Sequence, residues 1–183
     1  MRLLLSAALA GTALLLGGGN RAESAGAAGA GTVPAPEFPS LDPSSWAGPA
    51  TSLSSSRGRV VLLNVWTFGC INCQRTLPWV QGIAERFAGK GVSVIGVHSP
   101  EFDREKNRKK VEEARKRHGL TYPSFIDNGH LYWNALRNRY WPAIYLIDKK
   151  GRIRRVQVGE VHEGDAAARS LEQAIETLLA ELY

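Results

Sequence analysis

The run Val60-Val61-Leu62-Leu63-Asn64-Val65-Trp66, followed at once by Cys70-Ile71-Asn72-Cys73, constrains this chain more than any other stretch of it. The run is apolar, rich in β-branched residues and of strand length, which predicts a buried strand over Val60–Phe68. Behind the cysteines, Leu77, Val80, Ile83, Ala84 and Phe87 recur at helical spacing and predict a helix over Gln74–Ala88. The pair, the only two cysteines of 183 residues, therefore stands where a strand turns into a helix. Cys70 falls at or beside the helix N-terminus, where free N–H groups and the positive end of the dipole stabilise a thiolate. A dithiol so placed can attack a disulfide with Cys70 and resolve the mixed disulfide with Cys73. A static bridge is a poorer reading, because the loop it closes is tiny and would restrict the unfolded chain little. A zinc site is poorer too: no second cysteine pair exists, and His98, His118, His130 and His162 lack close pairing.

Further patterns complete a mixed α/β layout. A strand over Val92–His98 precedes a helix over about Asp103–His118, then a short strand at Ser124–Ile126. A turn at Asp127-Asn128-Gly129 leads to a short helical piece through Trp133 and Leu136. Strands over Ala143–Asp148 and Arg152–Val158 flank the hairpin Lys149-Lys150-Gly151, and a helix over about Asp165–Leu182 ends the chain. A strand–helix–strand crossover requires parallel neighbours and the hairpin an antiparallel pair, so the sheet is mixed, with helices on both faces.

Met1-Arg2, the apolar stretch Leu3–Leu16 and the Ala-x-Ala patterns at 25–27 and 28–30 have the layout of a secretory signal peptide or an uncleaved N-terminal anchor. Residues 1–30 are assigned to it. Residues 31–57, rich in Gly, Ala, Ser and Pro, form a flexible, irregular approach in which Trp46 and Leu53 dock on the domain edge. One globular domain follows over 58–183, large enough for a proper core. The location expected is extracytoplasmic: the periplasm or the outer face of the cytoplasmic membrane.

At this point the sequence resembles thioredoxin-fold proteins. Pro78, five residues after Cys73, matches the proline that kinks the active-site helix of thioredoxins. Trp141-Pro142 before the strand resembles the cis-proline segment that faces the dithiol, which implies substrate binding there. The extra residues around 101–136 resemble the insertion of the TlpA/ResA group of thiol–disulfide oxidoreductases. WTFGCINCQRTLPWV, GVHSPEF, WNALRNRYWPAIYLIDKKG and VGE resemble the thioredoxin-like domain of DipZ-type cytochrome c biogenesis proteins.

Three positions depart from these patterns. Gly69 stands where thioredoxin has Trp, Asn64 where thioredoxin buries an acid, and Thr76 where ResA-like proteins carry Glu. The motif thus leaves the proton acceptor for Cys73 unassigned. Glu101, just beyond the strand Val92–His98, is the candidate for that role or for tuning the thiols; its plain alternative is a helix-start charge. Glu160 and His162, after the last strand, read as solvated loop residues.

The net charge is +6, and residues 104–117 carry eight Lys or Arg against three acids. With Val111 and Ala114 inward, these charges read as a solvated face, or as one that meets anionic lipid. No nucleic-acid motif occurs. Of the aromatic cluster, Trp141 should border the dithiol, while Tyr132, Trp133, Tyr140 and Trp66 read as core.

These patterns imply an exported thiol–disulfide oxidoreductase; by resemblance it reduces protein disulfides in extracytoplasmic thiol maintenance or cytochrome c maturation, and an oxidant role stays open, since the pair Ile71-Asn72 sets no direction. No cofactor is expected, because no G-x-G-x-x-G fingerprint occurs. By resemblance, electrons come from a membrane thiol carrier of CcdA or DsbD type. Two alternatives stay open: a thiol peroxidase, since Thr67-Phe68-Gly69-Cys70 matches the T-x-x-C of peroxiredoxins, and a copper- or heme-handling module.

Overall fold

The computed structural model of the chain describes residues 33–183. The predicted signal segment and the start of the approach lie outside the described residues. Two short strands come first, β1 (Val33–Pro34) and β2 (Trp46–Ala47). Then follow β3 (Val60–Trp66), α1 (Ile71–Arg86), β4 (Val92–His98), α2 (Arg108–Arg117), β5 (Ser124–Ile126) and α3 (Leu131–Ala135). Next are β6 (Ala143–Ile147), β7 (Arg152–Val158) and α4 (Ala166–Ala180). The strands form one sheet in the order β1-β7-β6-β3-β4-β5-β2, with β3, β4 and β5 parallel and the remaining pairs antiparallel.

The two edge strands are what the sequence pattern did not announce. Each is two residues long, too short for a period to register, yet β1 pairs with β7 and β2 with β5. The approach segment therefore does more than dock. Trp46 is fully buried, stacked edge-on against Phe38 and Phe125, and its indole N–H donates to the Ser40 carbonyl. Arg108 of α2 clasps the same segment through the carbonyls of Pro43 and Ser44.

Every side chain of β3 is buried, as expected of a strand covered on both faces. Val60, Leu62 and Trp66 join a cluster with the inner sides of α1, α2 and α4. Val61, Leu63 and Val65 join another with Phe38, Trp46, Leu53, Tyr132 and Leu136, so α3 and the approach segment cover the second face. At roughly 1.5–3 kcal/mol for each large apolar side chain buried, both clusters stabilise β3.

Three details differ from the sequence reading. The helix predicted over Asp103–His118 is divided into a 3-10 turn, Asp103–Glu105, and α2, because Asn107 caps the second piece by accepting from Lys110 N–H. Tyr140, read as core, is 61% exposed. Arg115 leaves the solvated basic face and turns inward, where its guanidinium donates to the carbonyl of Tyr122.

Candidate active site

Helix α1 begins at Ile71, three residues earlier than its apolar period shows, because Cys70 is its N-cap. The Cys70 sulfur accepts from the backbone N–H of Cys73 over 3.2 Å, as a capping oxygen would. Upstream, the carbonyl of Thr67 accepts from Cys70 N–H at 3.4 Å, and Gln74 Nε2 donates to the Phe68 carbonyl at 2.7 Å. The turn Thr67–Gly69 is thus held from both sides.

Both cysteines are free thiols. Cys70 is half-buried and Cys73 wholly buried. The asymmetry separates their acidities. A hydrogen bond from the Cys73 thiol, helped by the backbone of Cys73 and Asn72, lowers Cys70 to about 7 against the desolvation that opposes it. Burial, reinforced by the neighbouring Cys70 sulfur, pushes Cys73 far up. Of the two, Cys70 is the more accessible and the more acidic thiol.

Pro142 is buried, and its peptide bond with Trp141 is cis, as the resemblance implies. The antiparallel register of β6 on β3 sets Ala143 against Val65, so Pro142 stands level with the end of β3, where the dithiol turn begins. Trp141 and Cys70 pack at the margin of the same apolar cluster. The Trp141 indole N–H donates to the Ser99 carbonyl at 3.0 Å, and its ring lies on that of Trp133, 4.1 Å between centroids. Asp127 fixes that wall by accepting from Tyr132 N–H, Trp133 N–H and the Ser99 hydroxyl.

Glu101, Glu160 and His162 fall on the rim, whereas Thr76, Asn64 and Thr67 are buried. Glu101 is exposed, and its charge raises the pKa of both thiols. Glu160 is bridged by His162 at 2.8 Å and by Arg75 at 3.5 Å. Thr76 is buried, accepts from Val161 N–H at 3.1 Å and ties α1 to the segment after β7. Asn64 is buried within β3. Thr67, the threonine of the T-x-x-C match, donates its hydroxyl to Glu105 Oε2 at 2.6 Å, which engages it away from Cys70.

Glu105 is the acid that the sequence reading missed. It is fully buried behind the dithiol turn, and its Oε2 also accepts from the backbone N–H of Glu101 at 2.8 Å. A Cβ on Gly69 would come within 1.8 Å of its Oε1. The signal was Gly69 itself: a glycine just before the first cysteine leaves room that another side chain fills. His98 completes the cluster, with Nε2 3.3 Å from Thr67 Oγ1 and its pKa driven down to about 4 by burial. Among the described residues no group of three or more His, Cys, Asp or Glu side chains is placed to hold a metal ion.

The AhpC/TSA family model matches residues 32–156. The DipZ protein of Mycobacterium tuberculosis is 45% identical over 108 residues, which are 59% of this chain and 16% of DipZ. The chain thus spans about a sixth of that relative's length. The thiol-disulfide oxidoreductase YkuV of Bacillus subtilis is 29% identical over 120 residues, 66% of this chain and 77% of YkuV. Among solved structures, a secreted thiol-disulfide isomerase from Corynebacterium glutamicum superposes with a TM-score of 0.65 at 25% identity, covering 81% of this chain and 86% of its own.

Proposed function

The chain belongs to the AhpC/TSA family and is a thiol–disulfide oxidoreductase of thioredoxin fold, and we propose that it is exported and reduces protein disulfides with Cys70 as the attacking thiol. The observation that carries this reading is the asymmetry of the pair: Cys70 half-exposed and acidified to about 7, Cys73 buried and protonated. The Cys70 thiolate attacks one sulfur of the substrate disulfide, forms a mixed disulfide and expels the other sulfur as a thiolate that takes up a proton. Cys73 then loses its proton, attacks the Cys70 sulfur and releases the second substrate thiol. Two electrons pass to the substrate, and the protein is left as the Cys70–Cys73 disulfide. Trp141 and Pro142 are the surface on which an extended substrate lies during the attack.

Export is supported by the basic start, the apolar stretch Leu3–Leu16 and the small-residue patterns after it. No helix among the described residues is long and apolar enough to cross a membrane. The similarity to DipZ supports extracytoplasmic thiol maintenance or cytochrome c maturation, with a membrane thiol carrier of CcdA or DsbD type as the electron donor. With one dithiol in the chain, each turnover leaves the protein oxidised, so it needs such a donor.

The test is a single-turnover assay. Purified reduced protein should reduce about one equivalent of a protein disulfide and stop until a dithiol is supplied. Sustained turnover on NADPH alone would refute the reading.

A further inference from the structure

Glu105 takes hydrogen bonds from two parts of the active-site framework. Its Oε2 accepts from the Thr67 hydroxyl at 2.6 Å, from Glu101 N–H at 2.8 Å and from Phe102 N–H at 3.4 Å. Its Oε1 lies over Gly69 with no hydrogen-bond partner, and the nearest guanidinium, that of Arg104, is 3.7 Å away. Thr67 is the junction on the other side. Its carbonyl takes the Cys70 N–H at 3.4 Å, and its backbone works against burial by lowering the pKa of Cys73. The loop that carries Glu105 also reaches Trp141, because Ser99 donates its N–H to the Trp66 carbonyl and accepts from the Trp141 indole. One carboxyl group therefore links the dithiol turn to the loop after β4, and Ser99 of that loop reaches the wall beside Pro142.

We propose that Glu105 is a positioning residue for dithiol exchange, fixing the turn Thr67–Gly69 on which both cysteines are set. A plainer role is to cap the 3-10 turn Asp103–Glu105 through Phe102 N–H. A cap of that kind is satisfied at the surface, whereas this carboxyl group is wholly buried and takes its shortest hydrogen bond from Thr67. Burial of that kind costs stability unless hydrogen bonds offset it, and the shortest of them comes from the segment that carries the chemistry, while Oε1 stays without a hydrogen-bond partner. Gly69 belongs to the same arrangement, since any side chain there would displace the carboxyl group.

The inference rests on Cys70 being the attacking thiol, and the test separates the two. In the full chain, the pH dependence of alkylation is followed at each cysteine by mass, together with the single-turnover rate of disulfide reduction and the melting temperature. If Cys73 rather than Cys70 is alkylated near neutral pH in the unaltered protein, the reading of the dithiol fails before Glu105 is touched. Given Cys70 as the reactive thiol, Glu105→Ala should raise its alkylation midpoint and slow reduction about tenfold, the scale of one lost hydrogen bond to a charged group. Glu105→Gln keeps an acceptor for Thr67 and Glu101 and should recover most of the rate and midpoint change seen in Glu105→Ala. Thr67→Val, which removes only the hydroxyl, should reproduce Glu105→Ala and carries the test if the alanine variant does not fold. A lowered melting temperature with an unmoved or lowered midpoint in Glu105→Ala would overturn the proposal in favour of a cap or a charge effect. Loss of rate in Glu105→Gln equal to that in the alanine variant would overturn it as well.

Discussion

The backbone N–H of Cys73 donates to the sulfur of Cys70 over 3.2 Å, so the second cysteine steadies the thiolate of the first before any substrate arrives. The Cys73 thiol adds the largest single contribution to the lowered pKa of Cys70. Both effects are local and can be taken apart.

The first prediction concerns pH. Alkylation of Cys70 should rise with pH through a midpoint of about 7, below the ~8.5 of a free cysteine. A lowered thiol pKa means more thiolate at a given pH, so the reactive fraction falls as pH drops through that midpoint. Cys73→Ala removes the thiol donor and should move the midpoint upward. Alkylation of the variant with an unchanged midpoint would show that the helix start alone acidifies Cys70.

A second prediction follows from the 1.8 Å approach of a Gly69 Cβ to Glu105 Oε1. Gly69→Ala should destabilise the fold by about 1–3 kcal/mol, the scale of overpacking a filled interior. In a Glu105→Ala background the same change should cost much less, because the displaced group is gone. Additive effects in urea unfolding would contradict the contact.

Trp46 tests the role of the approach segment. Trp46→Ala should cost about 3–5 kcal/mol in denaturant unfolding, because a fully buried indole holds β2 to the second face of the sheet. The rate of the remaining folded protein should change little, since the indole packs on Phe38 and Phe125, on the sheet face opposite α1. A loss below about 1 kcal/mol would mark β2 as a loose appendage.

Asp148 gives a stability prediction with a sign. Burial pushes its carboxyl group up, but Arg152 N–H and the guanidinium groups of Arg152 and Arg154 outweigh it, and the pKa is lowered from 3.8. A depressed acid stabilises the fold fully above its unfolded pKa and loses that stabilisation as pH falls through the folded value. Asp148→Asn should therefore lower the melting temperature at neutral pH, and the difference from the unaltered protein should shrink below about pH 4. An unchanging difference down to pH 2 would show that the ion pairs contribute nothing.

What the sequence made legible was the framework with a strong period. β4, β5 and β7 coincide with their predicted bounds, because alternating or continuous apolar runs bounded by turns leave little choice. The dithiol and Pro142 were legible as local motifs. Glu105 was not, because its meaning depends on β4 and the dithiol turn meeting across 38 positions of sequence. Glu101, chosen for its place beyond β4, sits on the exposed side of that loop while Glu105, one helical turn on, points in. Trp46 was visible as a large apolar residue, but the two-residue strand that buries it has no period to read.

The most direct measurement is the trapping of mixed disulfides. Cys73→Ser removes the resolving thiol, so incubation with oxidised substrate protein should accumulate a covalent adduct through Cys70. The Cys70→Ser variant should trap none, because Cys73 is buried and held protonated. Adducts formed through Cys73 in Cys70→Ser, with none in Cys73→Ser, would reverse the roles and contradict the account.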